Sequence, residues 1–515
     1  MTLLFVAVLL ALALVGVPLF VIVGTATALC FAFFTPDHRH LVDYLPMMQS
    51  MEGLLTKQEL LAIPLFMASG AIMIAGGIAR RLVDVAKAAL CWLPGGVAVA
   101  AVAACMFFAA ISGSSPVTLI AVGSIMFPAM VRSNYPENFA LGLVTTAGSL
   151  GCLVPPSIAM LIYAISISGS SAAVSPEDLF LAGLLPAFFV AGLLAAYSVW
   201  VGLRLPGSRE RFDFARLRVA VREGSWALLL PVIVLGGIYG GLYTPSEAGA
   251  TATVYALVVT MGLYRELSFR VLLSTLIEAA TLMGSLILII VLAFGLNEFL
   301  ALVGIQERLM TFIRAMDLGP FGFLALTNVI LIVVGALMDS ISCTLIFAPM
   351  LAPVAWELYG IDPLHFGVVF VVNMEIGYLM PPVATNLFVA ATVFRKPFGQ
   401  VTRAVLPTLG LTCAALACIM YVPTISKAAV NWKRGLPIVE AFPWHGRAVA
   451  MAPGVGSGAA GDGLPPAAAA GALDLATITS KSMADWDDDE GEKQPEKPAG
   501  QPGRTATSRE IKDDE

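Results

Sequence analysis

Long apolar segments, separated by short polar ones, run along most of this chain. A helix needs about 20 apolar residues to cross a bilayer, and several of the segments are that long. The pattern predicts an all-α polytopic membrane protein, and the first run, which has no basic leader, is interpreted as a retained helix. The apolar segments lie at 3–34, 60–77, 90–111, 116–131, 138–167, 179–203, 226–242, 248–264, 273–296, 322–338, 344–359, 365–394 and 404–424.

Several segments are too short for a full span, and two pairs of segments face each other across a polar break. The breaks lie at 112–115 and 339–343. Non-helical backbone is tolerated at membrane depth only where it is buried in protein or lines a wet cavity. Each pair is therefore predicted to form a re-entrant helical hairpin with a polar tip inside the protein.

Two motifs recur in the chain at a single offset. The sequence TLI at 118–120 recurs at 344–346, and the pattern Gly-x-x-x-Pro-Pro at 151–156 recurs at 377–382, each 226 residues later. The chain therefore contains two related halves. Interrupted apolar segments at matching positions of two halves are typical of a transporter binding site, and the odd, short segments favour inverted repeats.

The repeated motif suits ion binding because prolines remove backbone donors and unwind a helix. The released carbonyls can ligate a desolvated sodium ion, and helix N-terminal ends at the same break favour anionic groups. The glycine upstream of the prolines is predicted to let a second backbone approach. Capping of the helix that follows each hairpin tip is a compatible role for the polar residues there. The tips contribute oxygens from Ser112, Ser114, Ser115 and Thr118 in the first half, and from Asp339, Ser340, Ser342 and Thr344 in the second.

Two ionisable residues, Asp339 and Glu375, fall where hydrocarbon depth is expected. A charge at the bilayer centre costs about 2.5–3.5 kcal/mol on insertion scales, so a function is the default hypothesis for both. The structural alternatives are N-capping by Asp339 and pairing of Glu375 with a hairpin hydroxyl or amide. Asn386, just past the second break, is interpreted as a strut between helices and is kept as a substrate-site candidate.

The composition agrees with a membrane protein and narrows the chemistry. Only 12% of the 515 residues are charged, against about 25% in soluble proteins. The seven cysteines form no CxxC pair and the four histidines have no zinc spacing, so no metal site beyond sodium is expected. The net charge of −6 arises mostly in residues 481–515, which hold 11 acids and 6 bases. Residues 450–515 are predicted to be a disordered acidic tail.

Three clusters of basic residues mark loops that the positive-inside rule places in the cytoplasm. Lys427, Lys433 and Arg434 follow the last apolar segment, so the rule leaves the face of the C-terminus open. The clusters are Arg80, Arg81 and Lys87; Arg204, Arg209, Arg211, Arg216, Arg218 and Arg222; and Arg395, Lys396 and Arg403.

Over residues 1–425 the sequence resembles the large membrane subunit of tripartite ATP-independent periplasmic (TRAP) transporters, the DctM-like family. The stretches SGSSPVTLIAVGSIMFPAM, GYLMPPVATNLF and YGIDPLHFGVV carry the resemblance. It implies an elevator-type secondary transporter with two inverted repeats, in the bacterial inner membrane and without enzymatic activity. Sodium would be the coupling ion, with no cofactor. The partners would be a small membrane subunit, a periplasmic substrate-binding protein and a small carboxylate.

The resemblance also implies two sodium sites, one between each hairpin tip and its paired helix break. The family usually has Thr at the position of Met380 and Gly at that of Ala384, so the second site would be built from backbone carbonyls or altered. The first site would use Ser112, Gly113, Ser114, Gly151, Val154 and Pro155, and the second would use Gly335, Asp339, Gly377, Met380 and Pro381. The substrate-site candidates are Ser115, Thr118, Pro156, Ser342, Glu375, Pro382 and Asn386.

The repeats divide the chain into predicted regions. These are N-terminal scaffold helices at 1–89, transport repeat 1 at 90–170, scaffold helices with a connecting arm at 171–320, transport repeat 2 at 321–395, a C-terminal helix with its flank at 396–449, and the tail at 450–515.

Two other functions are compatible with parts of the pattern. A stand-alone carrier of the divalent-anion/sodium symporter type shares hairpins and repeats but needs no binding protein. An intramembrane serine hydrolase would use Ser114 as nucleophile with His365 as its base. The sequence has no GxxxxGK[ST] motif, so it indicates no P-loop hydrolysis of ATP, and nothing in it indicates nucleic-acid binding. The identity of the organic acid, and coupling by sodium or by protons, stay open.

Overall fold

The structure is a computed structural model that describes residues 17, 19–34, 45–205, 212–381, 384–440 and 442. Within these residues every regular element is a helix, and eight helices are long and apolar enough to cross a membrane. The prediction of an all-α polytopic membrane protein is confirmed. The predicted tail at 450–515, the run 1–16, Arg209, Arg211 and Pro382 lie outside the described residues.

The helices are labelled here in chain order. They are α1 Leu19–Phe34, α2 Leu45–Leu55, α3 Gln58–Ala75, α4 Ile78–Leu90, α5 Gly96–Ser112, α6 Ser115–Arg132, α7 Glu137–Ser149, α8 Ile158–Ser166, α9 Pro176–Leu203, α10 Phe214–Tyr239, α11 Pro245–Leu257, α12 Phe269–Leu302, α13 Ile305–Ala315, α14 Pro320–Leu337, α15 Ser340–Tyr359, α16 Pro363–Gly377, α17 Thr385–Phe394, α18 Phe398–Tyr421 and α19 Pro423–Lys433.

Both predicted hairpins are present, and they turn in different ways. In the first, α5 ends at Gly113, whose φ of +60° is a left-handed conformation that glycine adopts without steric cost. In the second, α14 ends at the extended residue Met338, and Asp339 then caps α15. The two hairpins therefore share their length and position in the repeat but differ at the tip.

The two proline motifs break their helices as predicted. The apolar segment 138–167 divides into α7 and α8 around Pro155 and Pro156, which are joined by a cis peptide bond. The Ser157 hydroxyl restarts the helix because it accepts a hydrogen bond from the Met160 amide at 3.3 Å. The segment 365–394 divides into α16 and α17, and α17 begins after Ala384, a residue with φ of +40°.

The broken helices form the centre of the protein. α8 and α16 are buried along their whole length, as is α7 after its first turn. A helix that is apolar all round needs such an environment. By contrast, α10 and α12 present many exposed apolar side chains, as expected of helices that face lipid. The breaks are thus enclosed by protein, where an interrupted backbone is tolerated at membrane depth.

α9 runs between two ends of the protein and allows other loops to be assigned to them. It is 28 residues long, about 42 Å. Near its C-terminus Gly202 packs on the backbone of Gly95, beside most of the basic clusters, and we call this the basic end. Asp178, in its first turn, lies at the other end, which we call the opposite end.

The C-terminal helix α19 lies at the opposite end, and its basic residues are paired with acids. The Lys427 ammonium group lies 2.7 Å from Asp362 Oδ2 and 2.6 Å from Glu440 Oε2, and an Arg434 guanidinium nitrogen lies 2.5 Å from Asp178 Oδ2. These pairs neutralise the charges that left the C-terminal face open in the sequence. Residues 423–440 therefore lie across the protein from the basic clusters.

Candidate functional site

The first hairpin tip is packed against the first helix break. A Cβ atom on Gly151 would lie 2.5 Å from the Ser114 carbonyl oxygen, so only glycine permits this approach. The Gly113 carbonyl accepts a hydrogen bond from the Ile158 amide at 3.1 Å, which ties the tip to the start of α8. The close approach predicted for the glycine of the motif is confirmed here.

The second tip is packed against the second break in a related way. A Cβ atom on Gly377 would lie 2.9 Å from backbone atoms of Gly335, the residue that begins the last turn before the tip. The Ser340 hydroxyl is hydrogen-bonded to the Tyr378 hydroxyl, in the first position after α16. The second break is therefore joined to its tip by side chains, whereas a backbone hydrogen bond joins the first.

The start of the second hairpin helix has the same hydrogen bonds in both halves. The Thr118 hydroxyl donates to the Ser114 carbonyl at 2.9 Å, and the Thr344 hydroxyl donates to the Ser340 carbonyl at 2.7 Å. Both members of each pair are related by the offset of 226 that the sequence motifs share. The repeat is thus present in side-chain contacts as well as in the order of helices.

Capping of the hairpin helices differs between the halves. Ser114 occupies the N-cap position of α6 but its side chain makes no capping hydrogen bond, so the capping role considered for it is wrong. Asp339 does cap α15, because its Oδ2 atom accepts from the amides of Ile341 and Ser342, each at 3.1 Å. Its Oδ1 atom is buried and has no partner.

Two hydrogen bonds join the halves to each other at the centre. The buried Glu375 accepts a hydrogen bond from the Ser149 hydroxyl at 2.8 Å. The Asn386 amide group donates to the Ser115 hydroxyl at 2.5 Å, which confirms Asn386 as a strut between helices. Glu375 was expected to pair with a hairpin residue, but its partner lies on α7 instead.

Several buried oxygens near the tips have no hydrogen-bond partner among the described residues. Besides Asp339 Oδ1, they are Ser342 Oγ, Glu375 Oε2 and Asn386 Oδ1. A buried acceptor without a partner costs free energy, so a ligand or water that satisfied these atoms would be stabilised. Oxygen atoms of this kind suit sodium, and the described residues contain no group of three His, Cys, Asp or Glu side chains that could hold a metal.

Comparison with known proteins places the chain in a family. The family described as "Tripartite ATP-independent periplasmic transporter, DctM component" matches residues 6–425. The chain belongs to this family. It is therefore the large permease subunit of a TRAP transporter, a multi-pass protein of the inner membrane, and no enzyme. The family works with a small membrane subunit and a periplasmic binding protein.

Individual relatives agree with this assignment. The C4-dicarboxylate TRAP transporter large permease protein DctM of Pseudomonas aeruginosa is 41% identical over 412 residues, which cover 79% of this chain and 93% of that protein. The isethionate TRAP transporter permease protein DctMQ of Oleidesulfovibrio alaskensis is 40% identical over 371 residues, 71% of this chain and 57% of that protein. The fold is similar to that of the YdaH transporter of Alcanivorax borkumensis, with a TM-score of 0.53 at 14% identity, covering 82% of this chain and 98% of that one.

The structure brings most of the expected TRAP site residues to the two tips and breaks. In the first half, Ser112, Gly113, Ser114 and Gly151 meet, and Val154, Pro155 and Pro156 are buried beside them. In the second, Gly335, Asp339 and Gly377 meet, Met380 is half-buried and Pro381 is exposed. Ser115, Thr118, Ser342, Glu375 and Asn386 are buried around them, and Pro382 is outside the described residues.

Sequence reasoning missed two residues of this TRAP site, Ser149 and Tyr378. Ser149 stands 226 residues before Glu375, so the repeat itself held the signal that the two positions are related. Tyr378 directly follows Gly377 in the motif, and its contact with Ser340 depends on the tertiary fold alone.

His365 does not serve the hydrolase alternative. Its Nδ1 atom lies 2.7 Å from the Ser426 hydroxyl, and its Nε2 atom lies 3.1 Å from the Met420 carbonyl oxygen. Both ring nitrogens are therefore engaged with α18 and α19, at the opposite end. A base for Ser114 would have to lie within hydrogen-bond reach of it, and His365 is not placed to act so.

Proposed function

We propose that this chain transports a small organic acid into the cell together with sodium ions, and receives the acid from a periplasmic binding protein. The observation that carries the proposal is the pair of tips, each packed on its own broken helix through a glycine that no larger residue can replace. Two equivalent sites of this kind suit two coupling ions.

Sodium is the proposed ion because of the atoms available. The tips offer backbone carbonyls, serine and threonine hydroxyls and one carboxylate, which are hard oxygen donors. The unpartnered Asp339 Oδ1 supports a cation at the second tip, since a bound sodium would satisfy it. Met380 contributes only its backbone carbonyl to such a site, because a thioether is a weak ligand for sodium.

Inverted repeats and an elevator motion are part of the proposal, and the two ends of the protein support them. The first hairpin begins beside Gly95 at the basic end. The second ends beside Ser171, whose hydroxyl donates to Glu357 at 2.5 Å, at the opposite end. The hairpins thus enter from opposite sides, as two halves related by a two-fold axis in the membrane plane would. The positive-inside rule makes the basic end cytoplasmic.

An organic anion is the proposed substrate class. Relatives of nearly equal identity are named for a C4-dicarboxylate and for isethionate, both small anions, so identity favours the class and does not select one member. The N-terminus of α17 opens at the second break and provides partial positive charge for an anionic group.

Reconstitution tests the proposal. The chain is placed in liposomes with its small membrane subunit, and carboxylates and a sulfonate are offered on their binding proteins, with and without an inward sodium gradient. We expect uptake of one anion that needs both the gradient and its binding protein. Uptake driven equally without sodium contradicts the coupling, and uptake by this chain alone favours a stand-alone divalent-anion/sodium carrier.

A further inference from the structure

A cavity of about 440 Å³ lies at the opposite end, away from the two tips. Its walls come from α2, from the segment that follows α8, and from α12 and the start of α13. It reaches the surface at Gly53 and Gly169, which are exposed. Lys57, between α2 and α3, is half-buried in its wall.

Lys57 holds the spare hydrogen-bond donors of this cavity. An ammonium group has three donors, and one of them is used on the Ser168 hydroxyl. The other polar side chains that line the cavity already donate elsewhere: Ser50 to Glu298, Ser166 to the Tyr163 carbonyl, Ser168 to that of Ile165, Ser170 to that of Ile167, Asn297 to that of Leu345 and Gln306 to that of Pro349.

The charge on Lys57 is not neutralised by the described residues. No carboxylate among them lies within 4.0 Å of its ammonium nitrogen. The nitrogen lies 6.0 Å from the centre of the Phe294 ring, so its surroundings on that side are apolar. The acid in the same cavity, Glu298, accepts from the Ser50 hydroxyl at 2.8 Å and is thereby satisfied in part.

A neighbouring cavity of about 380 Å³ shares Lys57 and Ser168 but is unsuited to an anion. Glu59 and Glu177 line it, so it carries more negative than positive charge. The hydrogen bond between Lys57 and Ser168 lies between the two spaces. An anion that binds Lys57 therefore enters the larger cavity, where it takes the place of the serine hydroxyl.

We propose that the larger cavity is a vestibule for the organic acid, in which Lys57 binds a carboxylate before the substrate reaches the hairpin tips. The inference rests on the proposed function, since it assumes that an organic anion arrives from the opposite end. By the positive-inside rule that end faces the periplasm. Carboxylate and ammonium groups form charge-assisted hydrogen bonds, which are stronger than the neutral contact that Ser168 provides.

Protection from acylation tests the vestibule without any need for transport. The purified full-length chain is treated with an amine-acylating reagent in the presence of succinate, or of 1,4-butanediol at the same ionic strength, and labelling is measured by mass spectrometry. We expect succinate to slow labelling of Lys57 by about threefold or more, as a single ion pair would. Lys433, a partly exposed lysine at the same end, is the control and should react equally in both.

Equal labelling of Lys57 in succinate and butanediol would overturn the inference, as would slowing of Lys57 and Lys433 alike. Because this assay reads binding alone, a protein that fails to transport still gives an answer. Failure of sodium-dependent uptake by the wild type would instead count against the proposed function.

Variants test the role of Lys57 during uptake. Lys57→Gln should raise the KM for the acid about threefold to tenfold with little change in the maximal rate, and Lys57→Arg should restore it. Ser168→Ala removes the competing hydroxyl and should leave KM unchanged or lower. Arg308→Gln, an exposed residue on α13 outside the cavity, is the matched control. If Ser168→Ala raised KM as Lys57→Gln does, Lys57 would be only a brace for Ser168, and the proposal would be wrong.

Discussion

The Ser149 hydroxyl donates to Glu375 Oε1 at 2.8 Å, and these two residues hold the same position in the two halves of the chain, 226 residues apart. Two equivalent positions can touch only where the operation that relates the halves brings them together. The contact therefore marks the centre of the repeat. It also gives a buried carboxylate its one hydrogen bond among the described residues, since the other oxygen has none.

Removal of the Ser149 hydroxyl should destabilise the protein. Ser149→Ala leaves both oxygens of Glu375 without a described partner, and a buried polar group that loses its partner costs about 1–3 kcal/mol. We expect a clear fall in the melting temperature of the purified protein in detergent. Ser198→Ala is the matched control: Ser198 is equally buried, but its hydroxyl donates to the Leu194 carbonyl in its own helix. Equal melting temperatures for the two variants would contradict the role of the pair.

Enlargement of the motif glycines should abolish sodium-driven uptake. Valine at Gly151 or Gly377 would force backbone atoms apart that now leave 2.5 Å and 2.9 Å for a Cβ atom. The tips would move from their breaks, and the ion sites would lose their geometry. Gly410→Val, on α18, has no atom within 4 Å of the new Cβ and serves as the control. Uptake rates at matched membrane levels decide the matter, and normal uptake by both site variants would refute the close-approach role.

The sequence predicted the architecture better than the contacts within it. Prolines break helices and polar tips need enclosure for local reasons, so both hairpins and both breaks were predicted at their observed places. Asn386 was also predicted correctly, because a buried amide just past a break has few other roles than a strut. These features depend on residue type and spacing, which a single sequence contains.

Pairings across the fold were not predictable in the same way. Glu375 was expected to pair with a hairpin, but tertiary packing gave it Ser149, one of several serines of similar setting. The C-terminal face stayed open because a count of Lys427 and Arg434 as free charges ignored the acids beside them. Such pairs depend on distances between segments far apart in the chain.

Neutralisation of Asp339 should change the sodium dependence of uptake more than the affinity for substrate. Asn caps helices as well as Asp does, so Asp339→Asn keeps α15 intact and removes only the charge. We expect the half-saturating sodium concentration to rise about tenfold, equivalent to ~1.4 kcal/mol. Asp213→Asn, at the N-cap of α10 and exposed, should leave it unchanged. A rise in the substrate KM alone would mean that Asp339 contacts substrate.

The ion pairs of α19 should differ in their worth according to burial. Lys427 is mostly buried between Asp362 and Glu440, so Lys427→Met would leave two acids close together and should cost about 1–3 kcal/mol. Lys433 lies 3.8 Å from Asp178 and is more exposed, so Lys433→Met should cost less than about 0.5 kcal/mol. Thermal unfolding of both variants checks the difference. Equal losses would contradict the ranking by burial.

Restoration of glycine at position 384 should stabilise the protein. Ala384 has φ of +40°, a left-handed conformation that costs an L-residue with a Cβ atom about 1–2 kcal/mol. Ala384→Gly removes this strain but gives the unfolded chain more freedom, so we expect a net gain of about 0.5–1 kcal/mol. Ala390→Gly, inside α17, lacks the strain and should lose about 1 kcal/mol or more, since a buried methyl group is deleted as well. Melting temperatures that shift in opposite directions would confirm that the second break is strained at Ala384, and a fall in both would show that it is not.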